Sequence, residues 1–240
     1  SRPPLNNHSF SSKDQPMILL TKSALRRQEI QIPAPGQRLN AFLVVPENAI
    51  GMVVFAHGSG SGRLSPRNQF VADILNQSDI ATLLVDLLSD RESRDRNLIF
   101  DIDLLAERLD ACATWLVENP ETEKLPLGYF GASTGAAAAI LATTRGDHQP
   151  RAIVSRGGRP DLAMDELPDI HCPTLFLVGA LDTEVLELNR RAFNLLECTK
   201  DLKVVPNSTH LFPEPGALEA VAHLACAWFV KHLKSVPVRE

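Results

Sequence analysis

The residues Gly131-Ala132-Ser133-Thr134-Gly135 form the pattern G-x-S-x-G, between an apolar run ending at Phe130 and an Ala-rich stretch that continues to about Thr144. A serine on a tight turn from strand to helix needs small residues two places to either side, because strand and helix approach closely there. Its oxygen then sits at a helix N-terminus, where developing negative charge is favoured. The hydroxyl alone is a weak nucleophile. Acyl transfer requires a base to take its proton and a carboxylate to orient that base. On such an elbow they follow in the order serine, acid, histidine. Asp182 stands just past the apolar run Leu175 to Val178, and His210 lies between the last strand-like run and the last helical pattern. Glu184 and Glu187 are rival acids, placed where the next helix begins and expected to face solvent. His8, His148, His171, His223 and His232 fall in an arm, a turn, a strand approach or the final helix. Ser133, Asp182 and His210 are therefore the expected catalytic triad. The plainer alternative is a glycine turn, a helix N-cap and a loop histidine.

Charge developing on a carbonyl oxygen needs two donors aimed at it. The backbone N–H of Thr134 is the first. The second is expected from the loop His57-Gly58-Ser59-Gly60-Ser61-Gly62, with the N–H of Ser59 chosen and His57 read as a support for the loop. A glycine-rich turn can also cradle phosphates, but Arg63 occupies the third glycine position of G-x-G-x-x-G, and no G-x-x-x-x-G-K-[ST] is present. A non-catalytic nucleotide- or phosphate-binding module is the alternative from outside the enzymes. Arg156 and Arg159 follow a strand's carboxyl end, while Arg63 and Arg67 flank the glycine-rich loop. Convergence of these four would bind a substrate carboxylate or phosphate in bidentate fashion. The competing expectation pairs Arg156 and Arg159 with Asp161, Asp165 or Glu166, and leaves Arg67 on a solvated helix face.

The elements that must position these residues alternate along the chain. Arg27 to Ile32 and Leu39 to Val45 read as opening strands joined by a turn at Pro33 to Gly36. Met52 to Ala56 and Ile80 to Val85 are continuous apolar runs, as in strands buried on both faces. Ser65-Pro66 supplies an N-cap and first-turn proline for a helix to about Gln77. Ile102, Leu105, Leu109, Cys112 and Leu116 recur at helical spacing, and the charged stretch Asp90 to Arg96 before them reads as solvated surface. Leu127 to Phe130, Ala152 to Ser155, Thr174 to Val178 and Leu202 to Val205 complete the strands, and Leu218, Val221, Ala222, Ala225 and Phe229 share one face of a last helix. Strand–helix alternation implies an α/β fold with a mostly parallel sheet covered on both faces, and functional residues beyond the strands' carboxyl ends. The early strands without a helix between them imply an antiparallel edge.

At 240 residues with 44% hydrophobic content, one large core is affordable, and no repeat or linker divides it. Residues 1–20 are expected to form a flexible arm and 21–240 a single domain. A net charge of -5 argues against nucleic acid as a partner. Four cysteines without C-x-x-C or zinc spacing fit a reduced, cytoplasmic setting. No run reaches the ~18 apolar residues of a membrane span. Neither metal nor organic cofactor is implied, and the expected partner is a small acyl substrate, anionic if the arginines converge.

With these residues in place, the chain resembles the dienelactone hydrolase-like branch of the α/β-hydrolases from about residue 27 to 234. The stretches that carry the resemblance are His57-Gly58-Ser59-Gly60, Gly131 to Gly135, Val178-Gly179 with Asp182, and Thr209-His210. Ser65 to Asn68, Ser155 to Pro160 and Glu214 to Ala217 resemble a subgroup sometimes fused to phosphoribosyltransferase-like domains, none of which is expected within these residues. The resemblance implies acyl-transfer chemistry. It does not carry the dienelactone substrate, since family members that act on it have cysteine where this chain has Ser133. Lid domains of the fold usually enter after the Ala152 to Ser155 strand, and the short segment Arg156 to Pro173 leaves no room for one. The expected activity is hydrolysis of small esters through an acyl-enzyme. A small-amide hydrolase or an acyltransferase with the same triad is the nearest alternative.

Overall fold

The computed structural model describes residues 25–234, so the expected arm at 1–20 lies outside the described residues. Its elements follow the order β1 (Arg27–Ala34), β2 (Gln37–Val44), β3 (Gly51–Ala56), α1 (Pro66–Gln77), β4 (Ile80–Val85), α2 (Arg96–Ile99), α3 (Ile102–Glu118), β5 (Leu127–Ala132), α4 (Thr134–Arg145), β6 (Ala152–Arg156), β7 (Thr174–Gly179), α5 (Thr183–Leu195), β8 (Lys200–Val205) and α6 (Ala217–Leu233). Among the described residues one eight-stranded sheet forms, ordered β1-β2-β4-β3-β5-β6-β7-β8. The β1–β2 and β2–β4 pairs are antiparallel and all the others parallel. The chain is thus an α/β protein with the antiparallel edge that its helix-free opening implies.

Every residue of β3, β4 and β7 is buried, which is why these strands read as unbroken apolar runs rather than alternating ones. One face of the sheet packs Leu105 and Leu109 of α3 and Ile140 and Leu141 of α4. The other packs Val71 and Leu75 of α1 with Val221 and Phe229 of α6. Side chains of this size contribute about 1.5–3 kcal/mol each when removed fully from water. The successor of β3 in sequence, β4, lies on one side of it, and β5 lies on the other. The carboxyl ends of β3 and β5 therefore flank a topological switch point, where the loops diverge and leave a crevice. No described helix is long and apolar enough to cross a membrane. The connection from β6 to β7 holds only a short 3₁₀ segment, Pro160–Asp169, and there is no lid domain among the described residues.

The charged stretch Asp90 to Arg96 is exposed as expected, except at Glu92, which is half-buried. It forms a 3₁₀ turn at Glu92–Arg94 and then α2. Glu92 accepts hydrogen bonds from Arg108 at 2.7 and 3.0 Å, and also from Gln37 and Ser89. Arg108 is buried and donates to the Leu87 carbonyl at 2.7 Å. The sequence holds a trace of this: Arg108 lies between Leu105 and Cys112 on the buried stripe of α3, where a cation needs a partner. Its guanidinium, above all, holds the Glu92 carboxyl down to about 2 from the usual 4.5. A carboxylate depressed on folding stabilises the fold above its unfolded pKa, and that stability drains as pH falls through 4.5 toward 2. Glu92→Gln should therefore cost about 2–3 kcal/mol at pH 7, because it strands a buried guanidinium. Urea unfolding at pH 7 and pH 3 should show the gap between variant and wild type shrinking in acid. A gap of constant size would show that the ionised carboxylate of Glu92 is not its source.

Candidate active site

Ser133 joins β5 to α4 with φ 51° and ψ -123°, a left-sided conformation that costs a non-glycine residue energy and persists only where its surroundings hold it. The surroundings do so by close approach. A Cβ on Gly131 would lie 2.5 Å from Ala136 Cα, and one on Gly135 would lie 2.0 Å from the Ala56 carbonyl oxygen. The small residues of G-x-S-x-G are thus what lets α4 sit against β3 and β5. Three backbone hydrogen bonds pin the turn: Ser133 N–H to the Arg156 carbonyl at 3.3 Å, Arg159 N–H to the Ser133 carbonyl at 3.0 Å, and Ala136 N–H to the same carbonyl at 3.1 Å. The Ser133 hydroxyl makes no capping bond to α4. Thr134 opens that helix, so its N–H is one of those an α-helix leaves without an internal acceptor.

Asp182 occupies the N-cap position of α5 but its side chain makes no cap hydrogen bond. The carboxylate instead meets His210 Nδ1 at 2.7 Å. Neighbouring backbone contacts fix the pair: Leu181 N–H donates to the Ser208 carbonyl at 2.9 Å, and Asp182 N–H to the Gly179 carbonyl at 3.1 Å. Glu214 braces the histidine loop by accepting from both the N–H and the hydroxyl of Thr209, at 3.0 and 2.6 Å. These bonds hold its carboxyl below the usual range. Glu214 opens one of the stretches that carry the subgroup resemblance, but nothing in its spacing pointed to this brace. On the other side, Gly157 packs against the His210 ring, where an added Cβ would lie 3.4 Å from Cε1 and Nδ1. Of the rival acids, Glu184 is exposed and Glu187 pairs with Arg191 at 3.3 Å.

The glycine-rich loop after β3 lies against Ser133. A Cβ on Gly58 would be 2.7 Å from Ser133 Cβ, so backbone and serine are in contact there. The turn is closed by Ser61 N–H donating to the Gly58 carbonyl at 3.2 Å, and Ser59 between them is exposed. His57 is buried; its Nε2 accepts from Leu87 N–H at 2.9 Å, which leaves Nδ1 to donate to the Gly58 carbonyl at 2.9 Å. Burial lowers its pKa. With both nitrogens engaged, His57 joins the loops after β3 and β4 and is not available as a base.

The four arginines do not converge. Arg63 is bound to Asp86 through backbone and side chain and pairs with Glu29 at 3.3 Å, stacked over Phe42. Arg159 is held in a bidentate pair by Asp161 at 2.8 and 2.7 Å. The expected substrate contacts from these two give way to internal pairing, because an acid lies within reach of each. For Arg159 that acid is one of those the competing expectation named. Arg156 is buried and Arg67 half-buried, and neither has an acidic partner among the described residues. Glu166, another acid named for this role, is taken by Arg145.

No family model matches the chain. Two Mycobacterium tuberculosis strains carry a curated relative 53% identical over 209 residues, under the name phosphoribosyl transferase; the match covers 87% of this chain and 47% of that protein. The chain thus spans about half the length of these relatives. Among solved structures, a dienelactone hydrolase from Anabaena variabilis is 47% identical with a TM-score of 0.85, and the match covers 88% of this chain and 99% of that one. A Xanthomonas campestris protein described as an α/β serine hydrolase without a lid shares the fold at 19% identity, TM-score 0.72, over 88% of this chain and 97% of its own. With near-complete coverage and almost half its residues identical to the Anabaena protein, the chain belongs to the dienelactone hydrolase-like branch of the α/β-hydrolases.

Proposed function

We propose that the protein hydrolyses small esters or related acyl compounds through an acyl-enzyme on Ser133. The observation that carries this reading is the Asp182 carboxylate, which sits at a helix N-cap yet bonds His210 instead. With Asp182 accepting from Nδ1–H, the imidazole is left with Nε2 as its acceptor, the tautomer a general base needs. His210 takes the hydroxyl proton as the Ser133 oxygen attacks the acyl carbon. The oxygen of the tetrahedral intermediate is met by the N–H groups of Thr134 and Ser59. Collapse expels the alcohol, which receives the proton from His210. Water then attacks the acyl-enzyme, giving up a proton to the same base, and the acid leaves as Ser133 regains its hydrogen.

The lidless connection after β6 favours small substrates. Exposed Leu181 and Leu211, beside Asp182 and His210 in sequence, offer apolar surface to the acyl or alcohol part. The transferase name borne by the Mycobacterium relatives concerns proteins of about twice this length. The hydrolase reading rests on residues inside the matched half. Fluorophosphonate labelling tests it without knowledge of the substrate. Wild type should be labelled on a single serine, and Ser133→Ala should abolish the label while circular dichroism stays unchanged. Labelling that survives in Ser133→Ala would place the nucleophile elsewhere.

A further inference from the structure

Arg156 ends β6, paired in register with Ala132 of β5 and Leu177 of β7. Alternation along the strand turns its side chain to the same face as Val154, the face covered by α1 and α6. Arg67 stands in the first turn of α1, after the N-cap Ser65 and Pro66. Arg156 is only 6% exposed. Its Nε and Nη1, the Nε of Arg67 and the Oδ1 of Asn68 are all buried without a hydrogen-bond partner. Burial, and then the Arg67 guanidinium, push Arg156 down to about 10, so it remains charged at neutral pH.

Fixed cations taken out of water without a counter-charge are a cost that folding alone does not recover. The acids that neutralise the other two arginines, Asp86 and Asp161, are already engaged. The first turn of α1 adds the positive end of a helix of twelve residues. A single negative charge would leave this cluster unbalanced. A phosphate monoester carries about -1.5 to -2 at neutral pH and three acceptor oxygens suited to guanidinium forks. The Arg156 backbone is joined to the serine turn, its carbonyl accepting from Ser133 N–H at 3.3 Å.

We infer that Arg67 and Arg156 form a subsite for a phosphoryl dianion beside the catalytic serine. Placing that group on the ester to be cleaved rests on the serine-hydrolase reading; the anion site itself does not.

Calorimetric titration of inorganic phosphate into the Ser133→Ala protein separates the two, because that variant has no nucleophile to lose. Saturable binding is expected, weakened by about tenfold or more in Arg67→Ala and in Arg156→Met, with Arg156→Lys between them and wild type. Arg67 lies on a helix's first turn, so its variant keeps the test open if Arg156→Met fails to fold. With the active protein, kcat/KM is compared for an activated ester carrying a terminal phosphoryl group and the same ester ending in a hydroxyl. A preference of about tenfold for the charged ester, falling toward one in Arg67→Ala, places the phosphoryl group on the substrate. Phosphate binding without such a preference also supports the subsite, and assigns it to free phosphate. Absence of phosphate binding, or binding that both Arg67→Ala and Arg156→Met leave intact, overturns the proposal.

Discussion

Ser133→Ala and His210→Ala should each lower turnover of an activated ester by about 10⁴-fold, and the double variant should be little worse than either. In the proposed mechanism the serine and the imidazole act as one unit: without the base the hydroxyl stays protonated, and without the hydroxyl the base has nothing to activate. The close approach of Gly58, the Ser133 N–H bond to the Arg156 carbonyl and the Arg159 N–H bond to the Ser133 carbonyl hold the elbow by its backbone. Loss of one hydroxyl should therefore leave the fold intact, and the residual rate should come from the oxyanion donors alone. Initial rates with an aryl acetate, read beside thermal melts, check both parts. Retention of more than about a tenth of wild-type turnover in either single variant is incompatible with a triad.

Asp182→Asn should produce a loss of similar size, about 10⁴-fold, with an unaltered melting temperature. An asparagine oriented to donate its amide proton to Nδ1 would favour the tautomer with hydrogen on Nε2, which cannot accept a proton from Ser133. The fold should not suffer, because the Asp182 carboxylate makes no capping bond to α5. Glu184→Gln is the control: the side chain is exposed, and its removal should be nearly silent. If Glu184→Gln inactivates the protein and Asp182→Asn does not, the acid has been assigned to the wrong residue.

Much of this architecture was legible before any coordinates. Runs such as Met52 to Ala56 and Thr174 to Val178 announce strands covered on both faces, since no polar residue interrupts them. The order Ser133, Asp182, His210 is informative because each follows a strand, and strand ends on one side of a parallel sheet share one crevice. The fates of the charged residues were harder to read. The stretch Asp90 to Arg96 has the composition of a solvated loop, yet Glu92 anchors a buried arginine of α3. Arg159 and Arg156 are three residues apart, but one pairs with a local aspartate and the other is buried with no acidic partner among the described residues. Whether a guanidinium finds an acid depends on partners brought in by tertiary packing, which neither periodicity nor spacing encodes. Element ends shifted for a related reason. β8 begins at Lys200 rather than Leu202, because pairing with β7 recruits polar residues whose side chains the ladder does not require to be apolar.

The connection that leaves β6 begins at a strand's carboxyl end, where a parallel sheet gathers its functional loops, and it also clamps Ser133. Arg156 and Arg159 hold both backbone groups of Ser133, Gly157 N–H donates to the Leu177 carbonyl at 2.8 Å, and Asn189 secures the Gly158 carbonyl at 2.9 Å. If Ser133 acts as proposed, specificity and reactivity are mechanically linked over residues 156–159. Reshaping the entrance there, by loop grafting or directed evolution, would displace the serine itself. Substrate scope has more freedom to drift a few residues later, along the 3₁₀ segment Pro160–Asp169, where the chain has already let go of the elbow.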